Sequence, residues 1–174
     1  MITKRLLRAA ESVSAVDGPV GKVAETVGKA VAGTAVDRVL RGSWLGHPVH
    51  PLLITAPIGA WTCAAAADFV FDDPVTARRL TGVGLAMVPA AVATGLVELS
   101  TLTETRSRRV GALHAATNAV SSVCFLASYA KRRRGAHSAG VAWSLLGLLA
   151  MSAAGALGGH LSYALGAGVG REVD

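Results

Sequence analysis

The sequence predicts an all-α integral membrane protein, an up-and-down bundle of four spanning helices with an amphipathic helix before it. Charged residues make up only 16% of the chain, and its mean hydropathy is +0.48, whereas soluble domains carry about 25% charged residues. Four apolar segments each approach the ~20 residues that cross a hydrocarbon core. The charged connections between them are short, which makes consecutive helices antiparallel neighbours.

The first 43 residues form a basic amino-terminal segment with a different pattern. Residues 1–10 are basic, and no apolar stretch of the kind found in a signal peptide follows them. Valines then recur at helical spacing between charged residues. They are Val20, Val23, Val27, Val31, Val36 and Val39. This pattern predicts an amphipathic helix that either lies flat on the membrane or packs against the end of the bundle.

The membrane domain extends over residues 44–167 and is followed by a short tail at 168–174. The predicted spans cover about residues 51–71, 80–99, 110–130 and 141–165. Gly and Ala are abundant in them, and small residues let the backbones of membrane helices approach closely. Helix faces of this kind also suit a homo-oligomer.

The positive charge of the chain lies in short loops beside the apolar segments. This placement of a net charge of +6 indicates contact with anionic lipid and control of topology, not nucleic-acid binding. The run Lys131–Arg134 is interpreted in the same way, as an anchor next to a span. We expect His137 beside it to be solvated, and Asp68 to face the lipid headgroups. Cys63 and Cys124 lack CxxC spacing and are interpreted as buried free thiols.

Two histidines fixed by prolines stand at the mouth of the first span. The string reads Gly46-His47-Pro48-Val49-His50-Pro51. A proline disfavours helical geometry for the residue before it, so both histidines are expected just outside the helix. Pro51 suits the first helical position. The positive end of the helix dipole favours a neutral imidazole at His50, and the neutral form is the one that binds metals.

The predicted topology brings further polar residues to the side of the membrane where the first span begins. Glu98 lies in the last turn of the second span, His114 about one turn into the third, and His160 about one turn before the end of the fourth. One face of the third helix is polar, which directs it into the bundle because lipid cannot satisfy it. That face comprises His114, Thr117, Asn118 and Ser121.

Glycines accompany these polar residues. The second span carries a stripe of mostly small residues that ends in Glu98, namely Gly84, Val88, Ala91 and Gly95. Gly158 and Gly159 directly precede His160. Space beside a histidine suits either a bulky planar ligand or a crossing helix, and the sequence leaves both possibilities open.

The histidine–proline string identifies a family resemblance. Together with Ala56-Pro57-Ile58-Gly59-Ala60-Trp61, it resembles the DUF2231 family of predicted bacterial membrane proteins, and the Ala-, Arg- and Gly-rich composition resembles actinobacterial members. The segment from Gly95 to Glu98, His114 and Gly158-Gly159-His160 fall where members carry a glycine-then-acid pattern and histidines. The resemblance covers about residues 40–167. Some members carry a following Rieske-type iron–sulfur domain, which implies a redox neighbourhood. The chain has no CxH…CxxH pair, so we expect that domain to be absent.

Four histidines and an acid on one side suit a transition metal. We hypothesise that His47, His50, His114 and His160 bind haem b or a Zn, Cu or Fe ion, with Glu98 as a ligand or as an acceptor beside the ligands. Electron transfer is the function that follows. The alternative is a cofactor-free structural or proton-relay subunit whose histidines are hydrogen-bonded within the bundle. No catalytic motif is present, which favours a redox or metal-binding subunit over a stand-alone enzyme.

The same topology predicts location and partners. We expect a multi-pass protein of the plasma membrane with both termini on one side, and the Lys and Arg count favours that side as cytoplasmic. The expected partners are the lipid bilayer and a Rieske-type or other redox protein.

Overall fold

The computed structural model describes residues 2–168, and these form helices and turns without a strand. The helices are α1 (Ile2–Glu11), α2 (Asp17–Val31), α3 (Ala35–Arg41), α4 (His50–Leu53), α5 (Thr55–Phe69), α6 (Pro74–Ser100), α7 (Thr105–Arg133) and α8 (His137–Gly159). A 3₁₀ turn at Ser14–Val16 precedes α2, and a π-helical turn at His160–Ala164 follows α8. The all-α fold class is confirmed. Apart from Gly168, the predicted tail lies outside the described residues.

Four helical stretches are long and apolar enough to cross a membrane. They are His50–Phe69, Pro74–Thr101, Thr105–Arg133 and His137–Ala164. Only 22% to 28% of their apolar windows is buried within the protein. Large apolar side chains on their surfaces, such as Leu149 at 69% exposure and Val123 at 62%, suit contact with lipid. The four predicted spans are confirmed, and the last three are longer than the apolar runs suggested.

A helix cap explains the longer second span. The Asp73 carboxylate accepts hydrogen bonds from the backbone N–H groups of Val75 (3.1 Å) and Thr76 (2.9 Å), as an N-terminal cap does. Pro74 then occupies the first helical position, where no N–H is needed. The hydrogen bonds from Thr76 hold the pKa of Asp73 below its usual value. These polar residues start α6 before its apolar run begins.

The valine pattern over residues 20–39 predicts one amphipathic helix, but the structure has two helices in this range, α2 and α3. The first of them, α2, ends at Val31, and Gly33 in the following turn adopts a φ of +73°. The Thr34 hydroxyl then caps α3 by accepting the N–H of Asp37 at 3.1 Å. On α2, Val20 packs into a buried cluster with Leu99 and Leu102. Of the two predicted placements, flat on the membrane or packed against the bundle, the contacts of Val20 support packing for α2.

The chain divides into two compact units. The histidine unit comprises the described residues 2–51, 92–116 and 154–168, and the aromatic unit comprises 52–91 and 117–153. The α6, α7 and α8 helices contribute residues to both. The candidate site residues lie in the histidine unit, whereas the aromatic unit contains the stacked rings of Trp61 and Phe125.

Candidate functional site

The histidine–proline string forms a tight loop over the end of α3. Gly42 has a φ of +85°, and a Cβ atom on it would overlap the carbonyl oxygen of His47 and lie 2.9 Å from the nitrogen of Val49. Gly42 is therefore required both by its backbone conformation and by close packing. His47 lies in this loop outside the helix, as the proline after it predicted, and it is exposed. His50, by contrast, is the first residue of α4 and not outside the helix.

The His50 side chain joins the first span to the second. Its Nδ1 atom lies 3.0 Å from the hydroxyl oxygen of Thr94 on α6, and Thr94 is only 1% exposed. A Cβ atom on neighbouring Gly95 would lie 2.9 Å from Cε1 of the ring. Gly95 therefore leaves the space that the imidazole of His50 occupies.

The His114 side chain joins the third span to the fourth in the same manner. Its Nδ1 atom lies 2.8 Å from the carbonyl oxygen of Ala154 on α8. A carbonyl only accepts, so Nδ1 carries the proton, and in a neutral imidazole the lone pair is then on Nε2. A Cβ atom on Gly158 would lie 2.9 Å from Cε1 of this ring. Gly95 and Gly158 therefore each accommodate an imidazole from another helix. Of a bulky planar ligand and a crossing helix, the two possibilities left open by the sequence, these contacts support the crossing helix.

His160 contacts the amino-terminal segment. Its Nε2 atom lies 2.8 Å from a carboxylate oxygen of Glu11, at the end of α1. Both side chains are largely buried, at 13% and 17% exposure. Arg106 approaches the other Glu11 oxygen at 3.9 Å. The imidazole of His160 is thus held by a carboxylate that the sequence did not single out.

A second ion pair fixes the amino-terminal segment within the histidine unit. Arg109 donates from Nε and Nη2 to the two carboxylate oxygens of Asp17, at 2.7 and 2.6 Å. It also donates to the backbone carbonyl of Glu11 at 3.2 Å. The hydrogen bond from Arg109 holds the pKa of Asp17 below its ordinary value of 3.8. Asp17 and Arg109 are 92 positions apart, and no pattern in the sequence predicts that they form an ion pair.

The predicted ligands differ in their contacts. His50 and His114 each bond to a neighbouring spanning helix, His160 bonds to Glu11, and His47 is exposed, while Glu98 is half-buried near the end of α6. No group of three or more His, Cys, Asp or Glu side chains in residues 2–168 is arranged to hold a metal ion. That these five residues act as common ligands stays a prediction.

Comparison with known proteins identifies the family. The family model described as "Predicted membrane protein (DUF2231)" matches residues 46–171. The chain belongs to the DUF2231 family. The match begins at Gly46 of the histidine–proline string and includes all four spans, so the resemblance to the family is confirmed and the protein is a membrane protein. The resemblance to actinobacterial members stays a prediction. No curated protein and no solved structure matches the chain.

The aromatic unit of this DUF2231 protein contains a buried ion pair. Arg132 and Asp68 have side chains that are 1% and 2% exposed. Arg132 donates from Nη1 to one carboxylate oxygen at 2.8 Å and from Nη2 to the other at 2.5 Å. The expectations that Asp68 faces the headgroups and that the whole run 131–134 is a surface anchor are therefore wrong. The position of Asp68 within an apolar span could have predicted a buried partner, because lipid cannot satisfy the charge of a carboxylate.

Every N–H group of the Arg132 guanidinium has an acceptor. Besides Asp68, Nε donates to the Ser128 hydroxyl at 3.1 Å, Nη2 to the Ser144 hydroxyl at 3.3 Å, and Nη1 to Nδ1 of His137 at 3.3 Å. The Nε2 atom of His137 lies 3.5 Å from Asp68. His137 is 41% exposed, in line with the expectation that it is solvated, but its contacts with Arg132 and Asp68 were not expected. Buried charges require such complete pairing.

Two stacked rings form the centre of the aromatic unit. Trp61 and Phe125 lie 3.9 Å apart between ring centroids, with an interplanar angle of 12°. A Cβ atom on Gly84 of α6 would overlap the indole, and one on Gly147 of α8 would lie 2.9 Å from the phenyl ring. The indole N–H donates to the carbonyl oxygen of Thr81 at 3.3 Å. The four groups therefore form a layer in the order Gly84, Trp61, Phe125, Gly147.

Proposed function

We propose that this DUF2231 protein binds a transition metal through His50 and His114, as haem b or as a single Zn, Cu or Fe ion. We propose that it transfers electrons where the metal is haem iron, Cu or Fe, since Zn²⁺ has no redox chemistry. The hydrogen bond from Nδ1 of His114 to the Ala154 carbonyl supports this proposal most directly. Metal-binding histidines donate their other ring N–H group to a carbonyl or similar acceptor, which orients the ring and selects the tautomer. The Thr94 hydroxyl orients the His50 ring through the same atom.

Two ligands fit the contacts better than four. His50 and His114 come from different spanning helices, and bundle proteins build cofactor sites from side chains on facing helices. His160 is bonded to Glu11, and His47 is exposed. Glu98, half-buried on α6, completes the proposed site as an acceptor near the ligands.

Absorption spectroscopy and metal analysis of the detergent-purified protein test this proposal. After expression with haem and metals supplied, haem gives a Soret band that shifts on reduction with dithionite, and a non-haem site gives a stoichiometric metal without that band. His50→Ala abolishes the signal, and His47→Ala, the matched exposed control, retains it. Wild-type protein with neither haem nor stoichiometric metal contradicts the proposal.

A cofactor-free proton relay is the second candidate. It is favoured by the fact that His50, His114 and His160 each have a hydrogen-bond partner within the protein. Ionisable groups inside a membrane segment are typical of proton pathways. Protein in liposomes with an internal pH-sensitive dye should then conduct protons. Glu98→Gln should reduce the conductance, and Glu104→Gln, which changes an exposed carboxylate, should not.

The proposed electron transfer requires a partner and an orientation. We propose a Rieske-type or other redox protein as the partner, and the plasma membrane as the site, with the histidine unit on the cytoplasmic side. A cysteine replacing exposed Ala136, in a Cys63→Ala background, tests the orientation. A membrane-impermeant thiol reagent should label it from outside the cell, and labelling from inside alone contradicts the orientation.

A further inference from the structure

Matched residues recur at a separation of 64 or 63 residues in the two helical hairpins, α4 to α6 and α7 to α8. Trp61 and Phe125 are 64 residues apart, and so are Asp68 and Arg132. Gly84 and Gly147, on the second helix of each hairpin, are 63 residues apart. The loop at 134–136 is one residue shorter than the loop at 70–73, and this accounts for the change from 64 to 63.

Burial follows the same correspondence in the aromatic unit. The buried seam of α5 includes Pro57, Trp61, Ala64 and Asp68, and the seam of α7 includes Ser121, Phe125, Ser128 and Arg132. Ala67 of α5 is also buried, but its counterpart Lys131 is exposed. On the second helices, Ala77, Thr81 and Gly84 are buried, and so are Gly140, Ser144 and Gly147. Steps of three and four residues place each seam on one face of its helix. The two hairpins therefore share most of their packing positions.

Corresponding residues also contact each other. Trp61 stacks on Phe125, and Asp68 forms an ion pair with Arg132. Equivalent positions of two copies meet in this way only along the axis that relates the copies, as in a two-fold dimer interface. In the aromatic unit, α5 and α7 therefore face each other in parallel and in register.

The same separations occur in the histidine unit. His50 and His114 are 64 residues apart, and Gly95 and Gly158 are 63 residues apart. Each imidazole lies against its own glycine, as each aromatic ring does in the aromatic unit. Each ring and each glycine is also eleven residues from its aromatic-unit counterpart, as His50 is from Trp61.

We propose that His50 and His114 form one symmetric imidazole pair, in a layer with the order Gly95, His50, His114, Gly158. This layer is the polar equivalent of the layer Gly84, Trp61, Phe125, Gly147. The pair brings together one imidazole from each copy of the hairpin, and its ligand is a single transition-metal centre. The identity of the ligand rests on the proposed function, but the pairing of the two rings does not.

Cross-linking in the full-length chain tests the pairing. Cysteines replace His50 and His114 in a Cys63→Ala, Cys124→Ala background, and a protease site is inserted after Thr103, between the hairpins. After treatment with a short thiol-specific bifunctional reagent and cleavage, linked fragments migrate together. We expect linkage as complete as for the Trp61→Cys, Phe125→Cys pair, and none for His50→Cys with Ala116→Cys, whose second position is exposed. If the Trp61→Cys, Phe125→Cys pair is linked and the His50→Cys, His114→Cys pair is not, the proposal is overturned.

Nuclear magnetic resonance gives a second measurement that leaves both rings in place. In protein labelled at histidine, ring protons of His50 and His114 should show a mutual nuclear Overhauser effect, with assignments from His50→Gln and His114→Gln. The absence of this effect between two assigned, observable rings overturns the pairing, even where the cysteine variants fail to fold.

Metal content separates failure of the pairing from failure of the proposed function. A symmetric pair binds one Co²⁺ or one haem per chain, and His50→Ala and His114→Ala should lower occupancy equally, by at least tenfold. Linked rings in a protein that binds neither probe leave the pairing intact and contradict the metal function. Bound metal that is lost in only one of the two variants contradicts the symmetric site.

Discussion

The histidine unit and the aromatic unit apply one packing rule to different chemistry. In the aromatic unit, Gly84 and Gly147 accommodate the rings of Trp61 and Phe125. In the histidine unit, glycines at 95 and 158 accommodate the imidazoles of His50 and His114. A flat ring against a glycine lets two helix backbones approach closely in both cases.

The difference lies in what the rings offer. Trp61 and Phe125 are 5% and 0% exposed, and stacked aromatic rings of this kind add to stability. His50 and His114 are only half-buried, and their ring nitrogens can bind a proton or a metal. The comparison indicates that the aromatic unit stabilises the protein, whereas the histidine unit provides reactive groups in a similar framework.

The largest expected effect is in the aromatic unit. Arg132→Met leaves the Asp68 carboxylate buried without its guanidinium partner, and loss of one partner of a buried pair costs about 3–5 kcal/mol in the free energy of unfolding. Thermal unfolding in detergent measures this loss. Asp68→Asn with Arg132→Gln should cost less than the sum of the single changes, and additivity would show that the two groups are not coupled.

A smaller loss of stability should follow when the glycine beneath an aromatic ring is replaced by alanine. Gly147→Ala places a Cβ atom 2.9 Å from the ring of Phe125, and such overpacking costs about 1–3 kcal/mol in the free energy of unfolding. Gly155→Ala on the same helix is the matched control, because nothing lies within 4 Å of its Cβ position. The control should be neutral or stabilising by up to about 1 kcal/mol. Equal losses in both variants would refute the packing argument.

The corresponding change in the histidine unit should alter binding as well as stability. Gly158→Ala displaces the imidazole of His114, since its Cβ atom would lie 2.9 Å from Cε1, at a similar cost of about 1–3 kcal/mol. Bound haem or metal should fall with it, as absorbance or metal analysis would show. Gly159→Ala, with Tyr163 4.0 Å away as its nearest neighbour, should retain both. Unchanged metal content in Gly158→Ala would contradict the assignment of His114.

The smallest effect concerns the amino-terminal segment. Because the pKa of Asp17 is lowered, its ion pair with Arg109 stabilises the segment above about pH 4. That contribution is lost as the pH falls below 3.8, through the pKa of the folded protein. Cleavage of residues 12–16 by an acid-active protease should therefore rise in that range. Asp17→Asn should raise cleavage already at neutral pH and reduce the rise on acidification, whereas Glu25→Gln, which removes an exposed pair within one helix, should behave as wild type.

The sequence predicts the fold better than the contacts of the candidate site. Apolar runs of spanning length identify the four helices, because hydropathy is a local property of each segment. The contact of His160 with Glu11 joins residues 149 positions apart, and no local pattern specifies such a partner. Hydropathy likewise assigned Asp68 and Arg132 to solvent, because each stands beside a loop. Their 64-residue separation becomes informative only once the stacked rings show the same separation.

The central claim is that His50 and His114, and not His47 or His160, form the functional site. Bound haem and metal should be measured in the four single His→Ala variants, each purified from cells supplied with both. The account predicts at least a tenfold loss of binding in His50→Ala and His114→Ala, and full binding in His47→Ala and His160→Ala. Full binding without His50 or His114, or equal loss in all four variants, would contradict it.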